Sequence, residues 1–167
     1  MSLLDYKKYK HRNKLSVYLA VLVAVGGGSR KSEILEDESW TAITDLPVNG
    51  ADDGFGNYAV IYHTGHHYYF GGSVNYGHKE LNSILRLTPG ETTWTWSNLG
   101  KMKSARQDHA VILFGDTFMI VGGGGTRSNE ACILKNGNFS CAEFTSSLDG
   151  YAYWPILLLV DNDYGNC

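Results

Sequence analysis

This chain has no excess of basic charge: 14 lysines and arginines face 17 aspartates and glutamates, for a net charge of −3. The electrostatic footprint of a nucleic-acid binder is therefore missing. No apolar run reaches the roughly 18 residues of a membrane helix, and no stretch carries a convincing helical period. Proline is scarce, at three residues in 167. Signals for chemistry are also few. The chain has no Gly-x-Ser-x-Gly elbow and no credible Cys–His nucleophile pair. The run Gly122 to Gly125 follows an apolar strand, but no Lys-Ser or Lys-Thr comes after it. Thr126-Arg127-Ser128-Asn129 opens no amphipathic helix, so a phosphate loop is not supported. The aspartates Asp52, Asp53, Asp108, Asp116, Asp149, Asp161 and Asp163 fall mostly at expected turns, where the side chain supports local backbone geometry. The expectation is a protein without catalytic residues, cofactor or metal.

What the chain does have is glycine, 20 residues, and 13% aromatic residues. That is the composition of short antiparallel strands joined by tight turns. Its length suits one good core rather than several domains. Residues 1–14 form a basic polar segment, with Lys7, Lys8, Lys10, Arg12 and Lys14 against Asp5 alone, so the remainder is acidic. LSVYLAVLVAVGGGS then reads in two ways. Leu15 to Val25 has the length of a signal-peptide core, with Ala24 and Gly26 about a cleavage position. It also reads as a strand, because GGGSRKSEILEDESWTAITDLP continues it with a short strand, a polar turn and Trp40.

A glycine pair closes an apolar, strand-like run three times: LAVLVAVGG at Gly27, HHYYFGG at Gly72 and FMIVGG at Gly123, spaced by 45 and 51 residues. Two of these repeats align at a constant offset of 51, with Tyr58 to Gly72 over His109 to Gly123. In each, two alternating strands flank a two-residue turn, Thr64-Gly65 or Gly115-Asp116, which is hairpin chemistry. A second hairpin follows each pair: SEILEDESWTAI, NSILRLTPGETTWTWSNL and EACILKNGNFSCAEF. A bulky ring, Trp40, Trp94 with Trp96, or Phe139, lies on its outer strand and is expected to pack against a neighbouring repeat.

A double glycine ending a second strand, an aliphatic third strand and Trp on a fourth resemble the kelch repeat, over roughly Leu15 to Phe144. A period of about 50 residues suits that family. The resemblance implies an all-β fold, a fragment of a kelch-type β-propeller built from four-stranded antiparallel blades. It divides the chain into a partial first blade at 15–47, a second at 55–99, a third at 106–144 and the start of a fourth at 150–167. Departures are plain. The tyrosine often found between the glycines and Trp is replaced by Leu35 or Leu87, the first repeat lacks an innermost strand, and the third lacks Trp.

Kelch proteins gather the loops that enter the innermost strands, and those between the second and third strands, on one face. The resemblance therefore places partner-binding candidates at Arg106, Asp108, Ser73, Asn75, Tyr76, Arg30 and Arg127. Arg106 stands where such repeats often present arginine to a ligand; a salt bridge to a neighbouring blade is the alternative. The function implied is non-catalytic protein–protein interaction with an unidentified protein or peptide. Two other readings stay open: an extracellular glycan-binding, oxidase-like or hydrolase-like propeller domain, and an intracellular ubiquitin-ligase adaptor, although nothing of BTB type is visible. An incomplete ring leaves blade faces uncovered, with Trp40, Trp94, Leu113 and Phe114 as candidates, and self-association follows from that.

The most specific local signal is Cys132-Ile-Leu-Lys-Asn-Gly-Asn-Phe-Ser-Cys141. Asn136-Gly137 is a strong two-residue turn. Counting outward, Lys135 faces Asn138, Leu134 faces Phe139, Ile133 faces Ser140 and Cys132 faces Cys141. The cysteines fall on a non-hydrogen-bonded pair, where Cα atoms approach to about 4.5 Å and a disulfide fits. Asn138-Phe139-Ser140 is also a glycosylation sequon at that turn. Together they favour a secreted setting, with a cytoplasmic one as the alternative. Cys167 is left odd. His63, His66 and His67 surround the Thr64-Gly65 turn, but a structural zinc site needs more ligands, so a polar hairpin tip is expected.

Overall fold

The structure is a computed structural model describing residues 22–27, 29–36, 38–49, 54–90, 93–124, 128–144 and 155. Every described element is a strand, and no helix long and apolar enough to cross a membrane occurs among the described residues. The expected segments 1–14 and, apart from Pro155, 150–167 lie outside the described residues, as do Arg127 and most of Leu15 to Val25.

Four antiparallel sheets form. The first joins β1 (Leu22–Val25), β2 (Ser32–Glu36) and β3 (Ser39–Ala42) in that order. A small one pairs β4 (Phe55–Gly56), β7 (Ser73–Val74) and β8 (Lys79–Glu80). The second large sheet runs β5 (Ala59–His63), β6 (His66–Phe70), β9 (Ser83–Thr88), β10 (Thr95–Lys101) from edge to edge. The third runs β11 (Ala110–Phe114), β12 (Thr117–Val121), β13 (Asn129–Lys135), β14 (Asn138–Phe144). In both four-stranded sheets spatial order follows chain order.

The turns follow from their residues. Thr64 and Gly65 have φ of 47° and 82°, Asn136 and Gly137 have 50° and 77°, and Gly115 has 58°. Positive φ at these positions matches the right-handed twist of the flanking strands. The glycine pairs have a different task. Gly26, Gly27, Gly71, Gly72, Gly122 and Gly123 all have positive φ. A Cβ on Gly26 would lie 2.4 Å from the Phe55 carbonyl oxygen, and one on Gly71 would lie 2.6 Å from that of Arg106. The first two pairs let the chain leave its strand while the loop of the following repeat presses on the backbone, whereas a Cβ on Gly123 would meet Gln107 O of the same repeat at 2.6 Å. Gly27 N–H donates to Phe55 O at 2.9 Å and Gly72 N–H to Arg106 O at 2.9 Å, so the grip repeats.

The second sheet is buried on both faces. Tyr69, Leu85 and Leu87 meet Ile34 and Leu46 from the first repeat, together with Phe55, Val74 and Trp94. Tyr68, Phe70 and Ile84 point the other way, against Phe118, Ile120, Cys132 and Cys141 of the third sheet. Two-sided burial explains why HHYYF and SILRL do not alternate cleanly between apolar and polar. Phe139 packs edge-on to Phe118 at 5.1 Å and to Phe70 at 5.5 Å, so its ring does lie between two sheets. Trp96 stands edge-on to Tyr69 at 5.0 Å and donates Nε1–H to Thr44 O at 3.0 Å. Trp94, expected on uncovered surface, is instead 6% exposed: it precedes β10 and enters the core between the first two sheets. Trp40 and Phe114 are exposed, and Leu113 is half-buried.

The Asn136-Gly137 hairpin has the expected register, Lys135 to Asn138 through Cys132 to Cys141. The two cysteines form a disulfide with Cα atoms 4.1 Å apart.

Candidate functional site

The chain ends of the two four-stranded sheets differ. At one end lie the tight hairpin turns; at the other lie the longer loops that lead into β5 and β11, together with the β4–β7–β8 sheet. The loop end carries most of the residues singled out from sequence.

Gly72 releases the chain from β6 into β7, where a Cβ would sit 2.7 Å from Gly56 O. The β7–β8 turn then takes three consecutive residues with positive φ: Asn75 at 53°, Tyr76 at 52° and Gly77 at 90°. His78 N–H donates to Asn75 O at 3.0 Å and closes the turn. Asparagine tolerates the left-handed region; an aromatic residue there is an outlier. The result is a tyrosine held out from the surface, 78% exposed.

Asn57 knits the neighbouring loops. Its Nδ2 donates to Ser73 Oγ at 3.4 Å and to Gln107 Oε1 at 3.3 Å. Its carbonyl accepts from Asp108 N–H at 3.0 Å. Asn57 and Asp108 occupy equivalent places in the 51-residue offset, and both have φ of 56°. Ser73, in turn, faces Glu80 across β7 and β8. Burial and the nearby Asp108 raise the Glu80 carboxyl pKa, with Arg106 opposing. Ser73 and Asp108 are thus brought together through Asn57, with Asn75 and Tyr76 at the adjoining tip. Ser73 itself is buried, while Asp108 is half-buried. Arg30 lies in the β1–β2 loop, 3.4 Å from Asp45, which also binds Lys31 at 3.1 Å.

Arg106 corrects the expectation made of it. The side chain is 0% exposed, and its Nη2 meets Glu130 Oε1 at 2.6 Å. Nη1 donates to Gly122 O at 2.9 Å and Ser128 O at 2.8 Å. Glu130 also accepts from Lys103 N–H at 2.7 Å and Ser104 N–H at 3.0 Å. This arginine therefore locks the loop before β11 onto β13 of the same sheet and is not offered to a partner. The salt-bridge alternative was right in kind, although the partner belongs to the same repeat. The 51-residue offset explains the choice of site: Arg106 stands where the second repeat has Phe55, itself 2% exposed. Buried position, not surface loop, is the shared property.

His109 sits beneath this loop at the place of Tyr58. Tyr58 donates its hydroxyl to Val25 O at 2.9 Å, the last residue of β1. His109 turns toward the equivalent last residue of β6, Phe70, whose backbone acts to raise its pKa against the larger effect of burial. Burial, reinforced by Arg106, brings the imidazole pKa down to about 4. Asn57, Glu80, Gln107, His109 and Glu130 escaped the sequence reading; the offset of 51 could have found Asn57 from Asp108.

Glu130, Cys132 and Cys141 bring ligand-type atoms within 4.8 Å of one another. With the sulfurs joined and Glu130 held by Arg106, that group has no free donor set for an ion. His63 and His66 face each other across the Thr64-Gly65 turn. Asn138 of the sequon is exposed. No model of a known protein family matches the chain, and a search of curated proteins finds no relative.

Proposed function

We propose that the chain is part of a kelch-type β-propeller and acts as a non-catalytic interaction module, binding a protein or peptide through its loop end. The observation that carries this reading is Tyr76, held 78% exposed on three successive left-handed residues. Such backbone costs on the order of 1 kcal/mol or more and is kept where a site needs it. Tyrosine is also among the side chains that anchor interfaces. With Arg106 withdrawn, the charged groups of the adjoining hairpin and loop are Lys79, Glu80 and Asp108, a mixed set that favours a segment carrying both signs of charge. The stacking of three antiparallel sheets, the first two of which grip the next repeat's loop through a glycine pair, supports the repeat reading.

The disulfide supports folding in an oxidising compartment, which in turn favours the secreted reading and modification at Asn138. The test is affinity capture from extracellular fluid with the wild-type chain and with Tyr76→Ala. Proteins retained by the wild type should fall at least tenfold with Tyr76→Ala, as for an interface anchor. An identical captured set would remove the loop end as the binding surface.

A further inference from the structure

Strand alternation decides what the second sheet turns toward the third. Tyr68, Phe70 and Ile84 enter the core between the two sheets. His66 lies two residues before Tyr68, and Arg86 and Thr88 lie two and four residues after Ile84, so all three share that face. Register makes them neighbours. Arg86 is paired with Tyr68 on one side and Ser97 on the other, Thr88 with Thr95, and His66 with His63. At the end of the strands away from Tyr76, an aromatic interface thus gives way to a polar strip with no carboxylate in it.

Three atoms of this strip are closed off from solvent and have no hydrogen-bond partner: His66 Nδ1, Arg86 Nε and Thr88 Oγ1. Buried polar atoms are almost always paired, and those that are not call for an ion or an ordered water. Arg86 also forms no ion pair among the described residues. Burial, and after it the Arg86 charge, lower the His66 pKa, so the guanidinium charge reaches the imidazole. Asp116, from the facing turn of the third sheet, borders the opening beside His63 and Thr64 without pairing with Arg86.

We propose that this strip binds a compact tetrahedral oxyanion of phosphate or sulfate type, held by Arg86, Thr88 and His66. Arg86 would supply the charge and its Nε–H, Thr88 its hydroxyl, and His66 its Nδ1–H. One such oxyanion has acceptor oxygens for all three atoms at once, and hydrogen bonds to an ionised acceptor are the strong ones. A cation would meet the Arg86 charge, and an apolar ligand would leave the three atoms unpaired. The strip shares no residue with the loop end, so it stands or falls apart from the function proposed there.

The experiment is NMR titration of the full chain with sodium phosphate and with sodium sulfate, at an ionic strength held constant with chloride. Each should give saturable shifts centred on the Arg86 Nε–H resonance, with His66 and Thr88 following, and the tighter of the two identifies the group. Acetate, a planar oxyanion, should bind about tenfold or more weakly than the tighter one. Arg86→Gln and the isosteric Thr88→Val should each weaken binding by about tenfold or more, with the Cys132–Cys141 hairpin resonances in place as the check on folding. Asp116→Asn should not weaken it. Absence of saturable shifts at Arg86 would leave the three atoms to water and overturn the proposal. So would binding that survives both Arg86→Gln and Thr88→Val, or acetate bound as tightly as phosphate and sulfate.

Discussion

Arg106 and Glu130 replace an apolar contact. Phe55 and Leu85 share the core between the first two sheets, whereas the third repeat puts a salt bridge where the offset places Phe55. Removing one partner of a buried pair strands the other charge, at about 3–5 kcal/mol, while replacing both with apolar groups is far less costly. Arg106→Ala should therefore lower stability by about that amount in urea unfolding. Arg106→Met combined with Glu130→Leu should recover part of the loss, although the Lys103 and Ser104 amides lose their acceptor. Equal losses in the single and double variants would contradict the repeat equivalence.

His109 gives the residue scale a pH signature. Its folded pKa of about 4 lies below the usual 6.5, so between those values the unfolded chain takes up a proton that the folded chain refuses. Its contribution is constant above about pH 6.5 and is lost progressively as the pH falls toward 4. From pH 7 to 5 the loss should be on the order of 2 kcal/mol. The same slope should flatten in His109→Tyr, which copies the Tyr58 arrangement; an unchanged slope would assign it to another group.

Two hairpins decide the element scale. In the β7–β8 turn, Tyr76→Gly removes a left-handed aromatic residue and should leave stability unchanged or raise it by up to about 1 kcal/mol. Loss of partner capture without loss of stability would separate recognition from folding. The β13–β14 hairpin is closed by the Cys132–Cys141 bridge over a sequence separation of 9. A loop this short limits the entropic gain to about 2–3 kcal/mol. Reduction should shift the urea midpoint by no more than that and leave the strand signal intact. Alkylation of both thiols without reductant would show that the bridge does not form.

At the scale of the molecule, among the described residues the second sheet is covered on both faces and the third on one. The other face of the third sheet carries Ile112, Met119 and Ala131 in one cross-strand row, all half-buried, with Phe114 69% exposed at the tip. The edge strand β5 also exposes Val60 at 48% and Tyr62 at 52%. Apolar sheet faces and open edges of this kind drive association. Sedimentation should show oligomers of the chain that Ile112→Lys with Phe114→Ser disperses. A compact monodisperse wild-type monomer would contradict the incomplete-ring reading.

The three two-residue turns, the pairing they impose and the disulfide were legible in the sequence. These features are local: positive φ selects glycine and asparagine, and a two-residue loop fixes every cross-strand partner out to Cys132 and Cys141. The glycine pairs were legible as repeat markers, but their reason was not, because the carbonyls that exclude a Cβ come from Phe55 and Arg106, 29 and 35 residues onward from Gly26 and Gly71. Loop position suggested that Arg106 was accessible, and an incomplete ring suggested the same of Trp94; Arg106 is instead buried against β13 and Trp94 between the first two sheets. Only tertiary packing decided that Arg106 serves the fold and that Tyr76 and Asn57 share a surface with Asp108. Those outcomes depend on contacts between elements far apart in the chain, where turn chemistry and strand alternation have no reach.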